Sequence, residues 1–66
     1  MRADDSQLRA AVLQFLAEQG PVRPNKLLKH LRKNYGASQR AAGETMFRMI
    51  HDRSIRRTFF GKLRLP

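Results

Sequence analysis

Apolar residues recur every three or four positions over the first third of the chain, and this spacing places them on one face of an α-helix. The pattern predicts a first helix over residues 6–19 with Asp5 or Ser6 as its N-cap. Gly20 favours a left-handed end to this helix, and Pro21 lacks the amide hydrogen that a further turn would need. Its apolar face comprises Leu8, Ala11, Val12, Phe15 and Leu16.

A second helix is predicted over residues 24–34, after a short extended link through Val22. Pro24 suits the first turn of this helix, and Gly36 ends it. Its inner face carries Leu27, Leu28 and Leu31, with Tyr35 packing just past the end, whereas the opposite face carries Lys26, Lys29 and Lys33.

A third helix is predicted over residues 39–52, with Ser38 as the N-cap. Gly43 in mid-helix costs about 1 kcal/mol relative to alanine, and a close approach by the second helix or a phosphate would explain it, as would plain tolerance of the glycine. The expected core face carries Ala42, Met46, Met49 and Ile50, the opposite face carries Arg40, Glu44, Arg48 and His51, and Phe47 lies at the edge between them.

Beyond residue 54 the period changes from helical to alternating, which predicts a β-hairpin over residues 55–65. A three-residue loop of Phe59, Phe60 and Gly61, with the glycine left-handed, is the favoured turn. A two-residue loop would put Ile55 on the opposite face from the leucines of the second strand, whereas the three-residue loop lets all of them face the core. In this register the opposed pairs are Ile55 with Leu65 and Arg57 with Leu63, and Arg56 and Arg64 face outward.

The predicted fold is therefore mainly α (α+β), with three helices and a two-stranded hairpin in a single domain spanning residues 1–66. Fourteen Lys and Arg side chains against five Asp and Glu give a net charge of +9. The charge is uneven, because residues 1–22 hold two basic and three acidic side chains and residues 23–66 hold twelve basic and two acidic ones. Such an asymmetry indicates a polyanionic partner.

Several classes of function are disfavoured by the residue types present. The chain has no cysteine, and its two histidines are far apart in sequence, so we expect no metal site and no other cofactor. No glycine-rich phosphate loop, serine elbow or carboxylate pair is present, and we expect no catalytic residues and a protein that is not an enzyme. The apolar content of 41% and its periodicity favour a folded domain over disorder, and no run is apolar enough to predict a membrane span.

Three helices followed by a hairpin resemble the winged helix-turn-helix family. The resemblance rests on the Gly20-Pro21-Val22 link, the leucines of the second helix, the Gly36-Ala37-Ser38 turn and the passage from Met46 and Met49 into Ile55-Arg56-Arg57. It covers residues 6–65 at the level of topology. The chain departs from the family pattern at Arg53-Ser54, where glycine often precedes the isoleucine strand.

The resemblance implies double-stranded DNA as the partner, with the third helix in the major groove. Gln39, Arg40, Glu44 and Arg48 would then lie near base edges, although an ion pair within the helix explains Glu44 equally well. The Ser38 hydroxyl and the helix N-terminus would suit a phosphate. The residues expected along the DNA backbone or minor groove are Lys26, Lys29 and Lys33 on the second helix and Arg56, Arg57, Lys62 and Arg64 on the hairpin.

The function implied is that of a small transcriptional, phage or mobile-element regulator in the cytoplasm or nucleoid, or in the nucleus of a eukaryote. The alternative is a protein-interaction adaptor, or a homodimer contact, that uses an aromatic patch of Phe47, Phe59 and Phe60. We expect Phe59 to fold back onto the third helix near Phe47, whereas Phe60 at the hairpin tip remains open to a role as a minor-groove wedge, a base-stacking platform or a subunit contact.

Overall fold

A reciprocally capped helix, α1 (Asp5–Gln19), begins the computed structural model, which describes residues 4–66. The Asp4 carboxylate accepts a hydrogen bond from the Gln7 backbone N–H at 2.8 Å, and the Gln7 side chain accepts one from the Asp4 N–H at 3.0 Å. Asp4 is therefore the N-cap, and the predicted caps Asp5 and Ser6 are wrong, because Gln7 completes a capping box only with Asp4.

Two shorter helices follow, α2 (Pro24–Tyr35) and α3 (Gln39–His51). Helix α2 is one residue longer than predicted, so that Tyr35 belongs to it, and Gly36 ends it in the left-handed conformation with φ 65°. Ser38 caps α3 as predicted, because its hydroxyl accepts a hydrogen bond from the Ala41 N–H at 3.1 Å. Helix α3 ends one residue earlier than predicted.

The C-terminal segment forms the predicted antiparallel hairpin of β1 (Arg56–Arg57) and β2 (Leu63–Arg64). Arg56 pairs with Arg64 and Arg57 with Leu63, which confirms the predicted register. The three-residue loop is also confirmed, since the Thr58 N–H donates to the Lys62 carbonyl at 2.6 Å and Gly61 has φ 79°. The predicted architecture of a three-helix core followed by a hairpin is confirmed.

The link between α1 and α2 adds a third short strand to this hairpin. The Val22 N–H donates to the Leu63 carbonyl at 3.0 Å, and the Leu63 N–H donates to the Val22 carbonyl at 2.7 Å. Strand β2 is therefore central, with Val22 on one side and β1 on the outer edge. A one-residue bridge has no periodicity, and the sequence pattern indicated only an extended link at Val22.

The three helices, β2, Val22 and Ile55 contribute to one core, whereas both residues of β1 are exposed. Phe15, Leu28, Ile50 and Leu65, all predicted to be internal, lie half-buried at its margin. Thr45 is also buried at 3% exposure, which was not predicted, and its hydroxyl donates to the Asp5 carboxylate at 3.2 Å. The buried apolar residues are Leu8, Ala11, Val12, Leu16, Val22, Leu27, Leu31, Ala42, Met46, Met49, Ile55 and Leu63.

The expected close approach of the second helix at Gly43 is wrong. A Cβ atom placed at this position would meet nothing in the described chain within 4 Å apart from its chain neighbours and the nearby backbone of its own helix. The space beside this turn of α3 is open, so helix packing does not require the glycine.

The hydrogen bond between Thr45 and Asp5 joins the start of α1 to α3, and a second contact joins α1 to the end of α3. Arg9 donates to the Asp52 carboxylate at 2.8 Å and to the Ser54 hydroxyl at 3.3 Å, while the Ser54 N–H donates to Asp52 at 2.9 Å. Hydrogen bonds from Ser54 and then Arg9 lower the pKa of Asp52 to about 2. Because this pKa lies below the unfolded value, the contact stabilises the fold fully above about pH 4 and is lost as the pH falls through the folded value.

Helix α3 ends in a Schellman motif, with an arginine where glycine is usual. The Ser54 N–H donates to the Met49 carbonyl at 2.9 Å, and the Arg53 N–H donates to the Ile50 carbonyl at 3.3 Å. Arg53 takes the left-handed conformation with φ 68°. A side chain in this conformation costs about 1–2 kcal/mol, and the departure from the family pattern at Arg53 thus has a backbone cost.

We expect Arg53→Gly to unfold with a free energy about 1 kcal/mol larger than that of Arg53→Ala, because only glycine relieves the left-handed backbone. Both variants lose the same charge, so their difference isolates the backbone term. Urea unfolding of the two variants measures it, and equal midpoints and slopes would contradict the assignment of strain to Arg53.

Candidate nucleic-acid interface

The twelve basic side chains of residues 23–66 are all exposed. Within residues 4–66 two ion pairs form, Arg9 with Asp52 and Arg40 with Glu44, so eleven of the twelve have no acidic partner in the described chain. They are Arg23, Lys26, Lys29, Arg32, Lys33, Arg48, Arg53, Arg56, Arg57, Lys62 and Arg64.

The outward face of α3 carries the predicted base-contacting side chains. Arg40, Glu44 and Arg48 are exposed, and Arg40 Nε lies 3.3 Å from Glu44 Oε1. An exposed pair of this kind contributes little to stability, about 0.3–0.5 kcal/mol. Arg40 can therefore leave Glu44 for an external acceptor at small cost.

Phe47 lies on α3 outside its core face, as its predicted place at the edge between the two faces requires. Its side chain is 69% exposed and its ring stacks on His51 with centroids 6.3 Å apart. Thr45, which was not predicted to lie in the core, is buried, whereas Ile50 is only half-buried, so the core face of α3 is turned further from Phe47 than predicted.

A cationic cleft, named here the α2 cleft, lies where α2 meets the start of α3. It has a volume of about 620 Å³ and is open to solvent. The structure brings together here Lys29 and Lys33, which were predicted to contact phosphate, with Ser38 and Gln39 at the N-terminus of α3. The full lining is Lys29, Arg32, Lys33, Ala37, Ser38 and Gln39. The positive end of the helix dipole adds to the field of these cations, and the combination suits a phosphate group.

A second cationic groove, the arginine groove, lies at the other end of α3. It has a volume of about 690 Å³ and brings together Arg56 and Arg57 of β1 with Arg53. Ile50, Ile55 and Pro66 complete its lining. Arg53 and, in the α2 cleft, Arg32 were not predicted as site residues. The signal available for both was their membership of the basic segment that follows residue 22.

The remaining predicted hairpin cations lie apart from this groove. Arg64 lines a cleft of about 380 Å³ with Gly20 and Pro21 near the end of α1. Lys62 is exposed beside the hairpin loop, where its N–H donates to the Thr58 hydroxyl at 3.0 Å. Lys26 is exposed on α2.

Phe59 and Phe60 project from the hairpin tip. Phe59 is 98% exposed, so its predicted folding back onto α3 is wrong, and Phe60 is 85% exposed. The three-residue turn directs Phe59 into solvent, where its ring packs edge to face on Phe60 with centroids 5.5 Å apart. Because Phe47 pairs with His51, the predicted aromatic patch divides into two surfaces, one on α3 and one at the hairpin tip.

Comparison of the chain with protein-family models, with curated proteins and with solved structures found no match. None of the helices described for residues 4–66 is long and apolar enough to cross a bilayer. In the same part of the chain, no three His, Asp or Glu side chains are grouped as metal ligands would be.

The directly opposed Arg56 and Arg64 of the hairpin repel each other, since like charges across an antiparallel pair are destabilising. We expect Arg64→Glu to raise the free energy of unfolding by about 1 kcal/mol, because repulsion is replaced by attraction. Lys62→Glu makes the same charge change at a position that does not oppose Arg56, and serves as the control. Thermal unfolding at low salt measures both variants, and an equal gain for the two would show that cross-strand repulsion is not the cause.

Proposed function

We propose that this chain is a double-stranded DNA-binding module built like a winged helix-turn-helix domain, with α3 in the major groove and the hairpin against the backbone or minor groove. The role that fits such a module is a small transcriptional, phage or mobile-element regulator. The observation that carries the proposal is the set of eleven exposed cations without acidic partners, spread over α2, α3 and the hairpin. A polyanion is the partner that neutralises such a surface.

The two cationic sites flank the outward face of α3. The α2 cleft includes Ser38 and Gln39 at the start of the helix, and the arginine groove includes Ile50 and Arg53 at its end. The thirteen residues of α3 span about 20 Å, whereas the major groove is about 12 Å wide. A helix lying in the groove would therefore bring both sites to the phosphates that border it.

The outward face of α3 offers the chemistry of base recognition. Arg48 has no acidic partner in the described chain, and a guanidinium donates two hydrogen bonds to the major-groove edge of guanine. Glu44 would accept from cytosine N4 or keep orienting Arg40. Phe47, also exposed on α3, suits contact with a thymine methyl group.

Arg48 and Lys29 test the division of labour between base and phosphate contacts. We expect Arg48→Ala to lower affinity for a selected duplex by about 1–3 kcal/mol while changing binding to random duplex less, because a base-specific contact is lost. Lys29→Ala should weaken both duplexes equally, because a phosphate contact does not depend on sequence. The duplex is first selected from a random pool, and affinities are then measured by fluorescence anisotropy.

The two variants are matched, since each removes one exposed cation that has no acidic partner. Equal losses on both duplexes for Arg48→Ala would remove α3 as the reading helix. Failure of the wild-type protein to enrich or bind any duplex would overturn the proposed function and favour the protein-interaction adaptor.

A further inference from the structure

Among residues 4–66, the aromatic tip of Phe59 and Phe60 holds the two most exposed large apolar side chains. The two rings are 98% and 85% exposed and meet at an interplanar angle of 89°. Burial of a phenyl ring is strongly favourable, so a pair of rings held in solvent forgoes a large stabilisation. Adjacent exposed aromatics of this kind mark a surface that a partner covers.

The tip is held by specific hydrogen bonds. The Thr58 N–H donates to the Lys62 carbonyl at 2.6 Å, the Lys62 N–H donates to the Thr58 hydroxyl at 3.0 Å and the Gly61 N–H donates to the Thr58 carbonyl at 3.0 Å. The base of the hairpin is anchored by Ile55 and Leu63, which are fully buried. The backbone that carries the two phenyl rings is therefore ordered by hydrogen bonds, which lowers the entropic cost of inserting the rings into a partner.

The charge around the tip selects the kind of partner. Residues 54–66 contain Arg56, Arg57, Lys62 and Arg64 and no acidic residue. A second copy of this tip would be repelled, whereas an anionic groove with an apolar interior would be attracted. The DNA minor groove suits the tip, because its walls are phosphates and the apolar faces of its stacked bases admit apolar side chains wedged between base steps.

We propose that Phe59 and Phe60 act as a wedge that enters the minor groove, partly unstacks one base step and kinks the duplex. This inference rests on the proposed function and specifies how the hairpin engages DNA. One ring enters the step, and the other, perpendicular to it, supports it from the side, while Arg56 and Lys62 contact the flanking phosphates. Pyrimidine–purine steps such as TA and CA are the preferred targets, because they unstack most easily.

A bending assay tests the wedge directly. Duplexes labelled at both ends for energy transfer carry the selected site with a TA step beside it, and end-to-end distance is measured for the wild type, for Phe59→Ala/Phe60→Ala and for Leu13→Ala. Leu13 is a matched control, since it is an exposed apolar residue on α1, outside the proposed interface. We expect the wild type and Leu13→Ala to bend the duplex by roughly 20–90°.

The double variant should leave the duplex straight and bind it about tenfold to a hundredfold more weakly. Its melting temperature should equal that of the wild type, because both rings are already in water, and this shows that a loss of bending is not a loss of folding. Replacing the TA step by GC should reduce the bend of the wild type and leave the double variant unchanged.

Four results would overturn the wedge. Bending and affinity of the double variant equal to those of the wild type would show that the tip does not enter DNA. Binding by the wild type without a bend would show the same. Either result leaves the proposed DNA binding intact. Loss of a protein complex by the double variant, with bending unchanged, would assign the tip to a protein partner. Absence of binding to any duplex by the wild type would instead refute the proposed function, and the wedge with it.

Discussion

The attachment of the hairpin to the helices depends on Leu63. This residue is fully buried in the core, exchanges two backbone hydrogen bonds with Val22 and lies opposite Arg57 in β1. A two-stranded hairpin alone is marginally stable at best, so these contacts are what hold the strands and orient their cations. They also determine where the aromatic tip projects, since only Thr58 separates β1 from the loop that carries Phe59 and Phe60.

The second constraint is electrostatic. Of the acidic side chains in residues 4–66, Asp4 and Asp5 lie at the start of α1 and Glu18 near its end, while Asp52 and Glu44 form ion pairs with Arg9 and Arg40. Most basic side chains of α2, α3 and the hairpin have no acidic partner in the described residues and repel one another. Arg56 and Arg64, which are directly paired across the hairpin, are one example. A surface that destabilises itself in this way gains stability when an anion binds, which couples folding to the proposed partner.

The elements were predictable because apolar spacing encodes them directly, and the hairpin register was predictable because only a three-residue loop puts Ile55 on the core face. The rotation of α3 was not predictable, since it depends on the hydrogen bond to Asp5 that lets Thr45 be buried. The exposure of Phe47 follows from that rotation. The Val22 bridge has no periodic signal, and the left-handed backbone of Arg53 runs against the preference for glycine. Lys29 and Ser38 were each predicted to contact phosphate, but their meeting in one cleft was not predicted.

The salt dependence of binding to duplex DNA tests the central claim most directly. If the exposed cations of α2, α3 and the hairpin contact six to eight phosphates, the logarithm of the association constant should fall against the logarithm of salt concentration with a slope of about −5 to −7. A slope near zero, or no binding to duplex DNA at low salt, would contradict the account.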